Sequence, residues 1–345
     1  MKVGFVYDPI YLKHDTGQHV EIAKRLEVVM SHLEKTGLKQ QLIPIEPRAA
    51  SVEELSLVHY QDHILHIQDV AQKRGGWLDP DTVMSSDSYE AALYAAGGTI
   101  RATEAVMNGE VSNAFALVRP PGHHATPWRA MGFCIFNNVA IAAKYALAKY
   151  KLERIAIIDF DVHHGNGTQE VFYDNPRVMY VSTHEYPFYP GTGDIGDTGS
   201  GEAKGTTVNI PLRAGCGDSE YLQVFEQIIA PVVKRFKPQL ILVSAGYDAH
   251  WADEIAMMQV TTTGFSQMVR VIKQLADELC SGRLVFGLEG GYNLTALATS
   301  IKATFDVLLG NTNIDDPLGQ PPQRRFDIGS IAPLIKAIKE THNLP

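Results

Sequence analysis

Short apolar runs recur along the chain, and each ends abruptly at polar residues. Ile155 to Ile158 and Gln239 to Ser244 are two such runs, and neither alternates between apolar and polar positions. A run without alternation is typical of a strand that is buried on both faces of a parallel sheet. Longer segments with helical spacing lie between the runs, for example Glu21 to Thr36, which stops at Gly37. The pattern therefore predicts an α/β fold, with a central, mostly parallel sheet and helices on both faces.

The same pattern places most of the individual elements. We predict strands at Lys2 to Val6, Leu42 to Ile45, Ala114 to Val118, Ile155 to Ile158, Arg177 to His184, Thr207 to Pro211, Gln239 to Ser244 and Arg283 to Leu288. We predict helices at Glu21 to Thr36, after a capping box at Ser51 to Glu54, at Ser88 to Asn108, from Asn137 as the capping residue to Tyr150, at Ser219 to Phe236, at Thr262 to Cys280 and near Ile331 to Lys339.

Glycine and proline mark two loops, Arg74 to Thr82 and Tyr186 to Gly205. His59, His63 and His66 fall at helical spacing, but no carboxylate accompanies them at ligand spacing. We interpret this row as part of a partly exposed helix and not as a metal site. No linker or shift of composition divides the chain, so we expect a single domain over residues 1–345.

Carboxylates and imidazoles follow the strand that ends at Ile158. Asp161 and His163 lie two residues apart, so on an extended backbone their side chains point to the same side. Asp248 follows another predicted strand, and in open α/β sheets the chemistry lies beyond the carboxyl ends of the strands. Two carboxylates and one imidazole suit Zn²⁺ with a fourth position left open. Asp159 can accept a hydrogen bond from an imidazole and thereby orient it.

Two further strand ends carry groups for proton transfer. His123 and His124 follow Arg119-Pro-Pro-Gly in a loop, and adjacent histidines at a strand end indicate acid/base groups when another strand end carries Asp-x-Asp-x-His. Tyr292 follows two glycines and offers a hydroxyl that can donate to a developing oxyanion. A metal, a base and an oxyanion donor together are what hydrolysis of an unactivated amide needs.

Composition and charge restrict the class of protein. The 345 residues are 45% hydrophobic and 20% charged, which is ordinary for a soluble globular protein. The net charge of −9 disfavours nucleic acid as a partner, because phosphate contacts need clustered Lys and Arg, and it mildly favours a cationic substrate. Three cysteines without a CxxC pair argue for a reducing compartment, and no stretch has the length of a membrane span. We therefore expect a cytoplasmic protein without membrane attachment.

Five motifs resemble those of the zinc-dependent histone deacetylase family, which includes the bacterial deacetylase-like amidohydrolases and the acetylpolyamine amidohydrolases. The motifs are Arg119-Pro-Pro-Gly-His-His-Ala, Gly132-Phe-Cys-Ile-Phe-Asn-Asn, Asp159-Phe-Asp-Val-His-His-Gly-Asn-Gly-Thr-Gln, Ser244-Ala-Gly-Tyr-Asp and Glu289-Gly-Gly-Tyr-Asn. Asn166 indicates the class II type, because class I has Asp at this place. The resemblance covers the chain from about Lys2 to about Leu309. It implies an arginase-like fold with a central eight-stranded parallel sheet, and removal of acetyl or other short acyl groups from amines such as acetyl-lysine by a metal-activated water.

The resemblance assigns a role to each matching residue. Asp161, His163 and Asp248 match the zinc ligands and imply one Zn²⁺ per chain. His124 matches the general base and acid, and Asn166 matches its partner. His123 matches the second histidine, which Asp159 would bind, and Tyr292 matches the catalytic tyrosine. An acylated lysine of a protein, or an acetylated small amine, would enter a channel whose matching residues are Gly132, Phe133, Phe188, Tyr189 and Gly291.

The resemblance also implies a structural K⁺ or Na⁺ that is bound largely by backbone oxygens. The matching residues are Asp159, Asp161, His163, Ser182 and Thr183, and a second such site is implied near Phe172, Asn175 and Val178. The N-terminal segment departs from the family's usual His-Pro-Glu-x-Pro-x-Arg pattern, with Gly17-Gln-His-Val-Glu21 in its place. The rim of the site, where Asp79 or Asp81 could hold the substrate backbone, therefore stays open, and so do the contacts of a homo-oligomer.

Three alternative functions fit parts of the sequence. A two-metal ureohydrolase of the same fold needs Asp-x-His-x-Asp, whereas Gly165 stands in the fifth place here. An inactive acyl-lysine-binding module is disfavoured, because Tyr292 and all three ligands are present. An acetylpolyamine deacetylase stays open, because the polyamine-selective branch has a Glu where Ile255 stands, but Glu254 is adjacent. A hydrolase of another small amide with the same site stays open as well, and so do the physiological substrate, its acyl chain and the choice of zinc or iron.

Overall fold

The computed structural model describes residues 2–322 and 328–345 of the chain. Its strands are β1 (Val3–Val6), β2 (Ile43–Ile45), β3 (Gly75–Trp77), β4 (Val83–Ser85), β5 (Asn113–Ala116), β6 (Ile155–Asp159), β7 (Val178–Glu185), β8 (Thr207–Leu212), β9 (Leu240–Ala245) and β10 (Leu284–Leu288). Its helices are α1 (Lys24–Lys35), α2 (Val52–Leu55), α3 (Gln61–Gln72), α4 (Ser88–Met107), α5 (Asn138–Lys149), α6 (Asn166–Phe172), α7 (Asp218–Val224), α8 (Ala230–Phe236), α9 (Thr262–Leu279), α10 (Leu294–Leu309) and α11 (Ala332–His342). None of the helices in these two ranges combines the length and the apolar character of a membrane span.

Eight strands of the described residues form one parallel sheet, in the order β2-β1-β5-β10-β9-β6-β7-β8. Helices cover both faces, with α4 against α5 and with α10 between α1 and α9. The predicted α/β fold with a central eight-stranded parallel sheet is therefore confirmed. Strand β6 lies between β9 and β7 and is buried along its whole length, which explains why its sequence does not alternate.

The predicted helix ends follow from local chemistry. Ser51 and Glu54 form a reciprocal capping box at the start of α2, and the Asn137 side chain accepts the Ala140 N–H at the start of α5. The helix predicted over Ser219 to Phe236 is interrupted by a π-helical turn at Phe225–Ile229. Pro231 lies in the first turn of α8, and because proline has no N–H to donate, a local change of hydrogen bonding accommodates it.

The loop predicted at Arg74 to Thr82 is wrong in part, because it contains strand β3. Strands β3 and β4 form an antiparallel hairpin there, with Gly75 opposite Ser85 and Trp77 opposite Val83. Gly75 has φ +90°, and a Cβ at this position would lie 2.8 Å from the Ser85 Cα. The glycine that suggested a loop therefore permits the close approach of two short strands.

The interpretation of the histidine row holds for α3, which is a partly exposed helix and carries His63 and His66, but it is wrong in part for the histidines themselves. His59 lies before α3, and His59 and His63 are both buried. The His59 Nδ1 bonds to the Thr126 carbonyl at 3.0 Å, and the His63 Nε2 bonds to the Ile135 carbonyl at 3.0 Å. Only His66 lies on the exposed face of α3. The two buried imidazoles therefore support the loop between β5 and α5 and do not form an exposed face.

Candidate functional site

Polar side chains converge beyond the carboxyl ends of four adjacent strands, β5, β10, β9 and β6. These strands are neighbours in the sheet and run in the same direction, so their carboxyl ends meet at one edge. The chain then continues into four loops, which carry His123 and His124, Glu289 to Tyr292, Asp248, and Asp161 with His163. The predicted convergence of these groups is what the parallel sheet brings about.

Asp161, His163 and Asp248 form a buried cluster, with one nitrogen or oxygen of each lying within 4.8 Å of the others. The His163 Nδ1 is 3.2 Å from the Asp161 Oδ1 and 3.3 Å from the Asp248 Oδ2. Burial by itself lowers the pKa of His163, but the two carboxylates outweigh it and raise that pKa to about 10. Burial and the charge of Asp161 raise the pKa of Asp248 to about 6. The cluster therefore favours positive charge at its centre.

The cluster fits a metal ion in its donors and in its shape. Two carboxylates and one imidazole are a donor set for Zn²⁺ and related divalent metals. Among the described residues, the buried Asp248 Oδ2 has no hydrogen-bond partner. A Cβ on Gly290 would lie 2.6 Å from the Asp161 Oδ2 and would collide with the Asp248 Oδ2. The glycine leaves open the space around both oxygens, and an ion there would satisfy the orphaned one.

Backbone N–H groups hold the carboxylates of this cluster in place. The Asp161 Oδ2 accepts the Gly290 N–H at 2.8 Å, and its Oδ1 accepts the His163 N–H at 2.9 Å. The Asp248 Oδ1 accepts the Val162 N–H at 3.0 Å. The Asp248 Oδ2, which faces His163, is consequently the oxygen left for a ligand. The bond from Val162 to the Oδ1 fixes the position of this carboxylate.

His123 and His124 have opposite electrostatic surroundings, although their ring centroids are only 4.0 Å apart. The His123 Nδ1 donates to the Asp159 Oδ2 at 3.1 Å, and the charges of Asp161 and Asp159 outweigh the effect of burial and raise the pKa of His123 to about 10. Burial and the adjacent His123 instead hold the pKa of His124 well below its usual value. One imidazole is thus kept charged and the other neutral.

Asn166 sets the orientation of the neutral ring. The Asn166 Oδ1 lies 2.8 Å from the His124 Nδ1, and since an amide oxygen only accepts, the Nδ1 carries the proton. The His124 Nε2 is then the atom with a free lone pair. This arrangement can take up a proton from a group in the cavity.

Tyr292 lies on the other side of the same cavity. Burial raises the pKa of its phenol well above the usual value, so the hydroxyl keeps its proton at neutral pH. The Arg25 guanidinium carbon lies 4.8 Å from the centre of its ring, and Phe133 contacts the ring edge-to-face at 5.8 Å. Gly291 precedes it with φ +117°, a conformation that favours glycine.

A cavity of about 230 Å³ leads to these groups. Its lining includes the predicted channel residues Gly132, Phe133, Phe188 and Tyr189, together with Asp81, Pro121, His123, His124, Cys134, His163, Ile255, Gly290 and Tyr292. The Phe188 ring stacks on His163 with centroids 5.5 Å apart. Gly291, the fifth predicted channel residue, lies in the turn before Tyr292 and accepts a bond from the Arg25 Nε at its carbonyl, at 2.7 Å. Asp81 also lines the cavity, and burial and the neighbouring Asp79 raise the pKa of its carboxyl group.

Three of the residues predicted for a monovalent cation, Asp159, Ser182 and Thr183, lie on the neighbouring strands β6 and β7. Asp159 of β6 is opposite Ser182 of β7, and Thr183 follows in the same strand. The Ser182 Oγ bonds to the His184 Nδ1 at 2.9 Å. In the part of the chain that the structure describes, the buried Thr183 Oγ1 has no partner.

Sequence reasoning missed three buried carboxylates around the site. Glu289 accepts the Gly122 N–H at 2.6 Å and the His123 N–H at 3.1 Å, and its other oxygen accepts the Ser244 hydroxyl at 3.1 Å. Its position directly after β10 was a usable signal, because Asp159 ends β6 in the same way. Because these bonds satisfy Glu289, its proximity to His123 and Cys134 does not make a second metal site.

Glu21 and Asp253 are the other two carboxylates. Glu21 bonds to Arg25 at 2.8 Å and to Arg119 at 2.6 Å, and all three side chains are fully buried. The spacing of four residues between Glu21 and Arg25 was a signal for an ion pair. Asp253 accepts the backbone N–H of Tyr292, and no local pattern indicates this bond.

Comparison with known proteins gives relatives that are all named as deacetylases. Residues 19–308 match the model of the histone deacetylase domain. The chain is 46% identical over 297 residues to a probable deacetylase of Archaeoglobus fulgidus, covering 85% of this chain and 82% of that protein. It is 40% identical over 354 residues to the chloroplastic histone deacetylase 10 of Oryza sativa subsp. japonica, covering 96% and 79%.

A solved structure supports the same assignment. The crystal structure of the HDA15 HD domain superposes with a TM-score of 0.88 at 33% identity, and the match covers 99% of this chain and 94% of that one. Together these relatives support a deacetylase, which is an amide hydrolase, as the activity. The chain belongs to the histone deacetylase domain family.

Proposed function

We propose that this chain is a zinc-dependent deacetylase that removes acetyl or other short acyl groups from amines such as the lysine side chain. The observation that carries the proposal is the position of the Asp161, His163 and Asp248 cluster against a cavity that is also lined by His124 and Tyr292. The orphaned Asp248 Oδ2 and the open space at Gly290 support a single metal ion at this cluster.

A bound Zn²⁺ would supply a Lewis acid that polarises the amide carbonyl and makes a water acidic at neutral pH. His124 is neutral, and its Nε2 would take the proton from the attacking water, because Asn166 binds the proton on Nδ1. The same imidazole would later deliver that proton to the leaving amine. Asp159 holds His123 in its charged form, which stabilises the negative charge that develops nearby.

Tyr292 would stabilise the oxygen of the reacting carbonyl. Burial keeps its phenol protonated, so the hydroxyl can donate as negative charge grows on that oxygen. Phe133 borders the cavity and contacts the Tyr292 ring, and Phe188 and Tyr189 line the cavity with it. An apolar channel of this kind fits the methylene stem of an acyl-lysine, and the Gly132 carbonyl could accept the amide N–H.

Several further features belong to the proposal. The sheet draws strands from both halves of the chain, from β1 to β10, which supports one catalytic domain over residues 1–345. A K⁺ or Na⁺ at Asp159, Asp161, His163, Ser182 and Thr183 would stabilise the strand ends beneath the metal. The three buried cysteines and the acidic net charge suit a cytoplasmic protein that does not bind nucleic acid or membrane.

The decisive experiment replaces Tyr292 by Phe, which removes one hydroxyl and keeps the ring. Loss of one oxyanion donor typically lowers kcat by about 10²–10³, or roughly 2.7–4 kcal/mol. We expect that loss for the Tyr292→Phe variant, measured on the best substrate of a panel of acetyl-lysine peptides, acetylated polyamines and longer acyl-lysines. Elemental analysis should give one zinc per chain in both proteins, whereas Fe²⁺ or Co²⁺ in its place would change the metal but not the ligands.

Tyr11→Phe is the matched control, because the Tyr11 hydroxyl is buried and bonds only to the Tyr94 carbonyl in the described part of the chain, at 3.2 Å. This variant should keep its turnover. Near-normal turnover of Tyr292→Phe would instead contradict the deacetylase mechanism. A preference for acetylated polyamines over peptides would move the substrate class to the alternative that Ile255 and Glu254 leave open.

A further inference from the structure

The loop between β9 and α9 is joined to the Tyr292 turn by a buried carboxylate, Asp253. The Asp253 Oδ2 accepts the Tyr292 N–H at 2.6 Å and the Asn293 N–H at 2.9 Å. Its Oδ1 accepts the Ile255 N–H at 3.2 Å. Asp253 is 2% exposed, so these bonds are made away from water, where they are strong and directional.

Asn293 closes the contact from the opposite side. Its Nδ2 donates to the Ala252 carbonyl at 2.9 Å, and its Oδ1 accepts the Ala296 N–H at 3.0 Å as the cap of α10. The two loops therefore exchange bonds in both directions, side chain to backbone each time. The backbone of Tyr292 consequently has one position relative to the loop that also carries Asp248.

Tyr292 lies between two groups that fix different parts of its turn. Arg25 donates to the Gly291 carbonyl at 2.7 Å and to the Glu289 carbonyl at 2.6 Å, which holds the residues before it. Asp253 holds the N–H of Tyr292 itself. Removing the Asp253 contact would leave the turn anchored by Arg25, so the tyrosine would shift while the fold persists.

We propose that Asp253 is a positioning residue, which sets the distance between the Tyr292 hydroxyl and the metal ligand Asp248 through this exchange of bonds. The proposal rests on the role proposed above for Tyr292. Asp253 does not reach the reacting atoms, because its oxygens are taken by backbone N–H groups.

The test is a double-mutant cycle of Asp253→Asn and Tyr292→Phe in the full-length holoenzyme. Asn keeps the shape of Asp but has one oxygen for three N–H donors, so its N–H₂ group must face the N–H of Ile255 or those of Tyr292 and Asn293, and the contact is disrupted. A misplacement of about 1 Å lowers turnover by about 100-fold, and we expect Asp253→Asn to lower kcat by about 10- to 100-fold with KM nearly unchanged. In the Tyr292→Phe background it should lower kcat little further, because the hydroxyl that it positions is absent.

The matched control is Asp277→Asn, which makes the same change at an exposed position near the end of α9, outside the cavity lining, and should leave kcat unchanged. A second variant, Asn293→Asp, keeps the cap of α10 but removes the donor to Ala252 and adds a charge beside Asp253. It should lower kcat in the same way, and it tests the contact even if Asp253→Asn does not fold.

The outcomes separate this inference from the proposed function. If Tyr292→Phe is severe but Asp253→Asn and Asn293→Asp keep normal kcat, the inference is wrong and the proposed function stands. If Asp253→Asn lowers kcat by the same factor with and without the Tyr292 hydroxyl, Asp253 acts through general stability and the inference is again wrong. If Tyr292→Phe keeps normal turnover, both fall together.

Discussion

Replacing Gly290 by Ala should strongly weaken metal binding while the chain stays folded. Gly290 has an ordinary backbone conformation, so alanine introduces no backbone strain at this position. The new methyl group would instead lie 2.6 Å from the Asp161 Oδ2 and 2.7 Å from the Asp248 Cγ, and closer still to the Asp248 Oδ2. The perturbation is therefore one carbon placed between two proposed metal ligands.

The distances give the size of the effect. Non-bonded heavy atoms are at optimal separation near 3.5 Å, so the Asp248 Cγ would have to move by roughly 0.8 Å and its Oδ2, which lies closer, by more. Metal sites tolerate ligand displacements of only about 0.2 Å. Changes that disturb ligand orientation alone lower metal affinity by about 10- to 100-fold, so we expect a loss of at least about 100-fold here. Overpacking costs stability by about 1–3 kcal/mol, which a domain of this size survives.

The assay is a Zn²⁺ titration of metal-free protein in the presence of a competing chelator, followed by turnover and by thermal unfolding of the same samples. Gly76→Ala is the matched control, because its Cβ would meet only the Val70 Cγ1 at 3.7 Å, an ordinary contact. We expect that control to bind zinc like the parent protein. If Gly290→Ala binds zinc with unchanged affinity, the metal does not lie between Asp161 and Asp248.

Two further predictions concern stability. Glu21→Gln should lower the free energy of unfolding by about 3–5 kcal/mol in chemical denaturation, because it leaves two buried guanidinium groups, Arg25 and Arg119, without their carboxylate; Glu27→Gln, which breaks an exposed pair with Lys24, is the control and should be nearly neutral. Burial and the adjacent His63 lower the pKa of His59 to about 3 in the folded chain. Between about pH 6.5 and pH 3 the unfolded chain therefore binds a proton that the folded chain does not. The free energy of unfolding consequently falls with falling pH, by up to about 1.4 kcal/mol per pH unit. Parallel denaturation series of the parent and of His59→Gln should show a shallower pH slope for the variant, and equal slopes would contradict the assignment.

Local patterns were enough to predict the sheet and the residues at its edge. Strand β6 is an apolar run bounded by charge, and the two-residue spacing of Asp161 and His163 places both side chains on one side. The parallel arrangement then brings Asp248 to the same edge, although it is far away in sequence. A strand end is a local feature, so its chemistry is visible before the fold is known.

Bonds between distant segments could not be predicted in this way. Glu21 and Arg119 are 98 residues apart, and Asp253 and Tyr292 are 39 apart. Composition marks each as a charged or polar residue, which most often lies at the surface, and burial in a network is decided by tertiary packing. The hairpin of β3 and β4 escaped for a related reason, because a glycine that permits close strand contact has the same sequence signature as one that forms a loop.

The acidic residues at the site bind across the strand ends, and this pattern explains why the geometry is held by the whole sheet. Each takes a backbone N–H from a neighbouring loop: Gly290 donates to Asp161, Val162 to Asp248, Gly122 to Glu289 and Tyr292 to Asp253. Four loops are thereby tied to one another at the atoms next to the proposed metal site. A substitution in one loop must displace groups in the next, so effects on catalysis should be non-additive among these carboxylates and additive for residues that lie more than about 7–10 Å apart and share no partner. These carboxylates thus make the site rigid, and the free-energy cost of burying them must be offset by the rest of the fold.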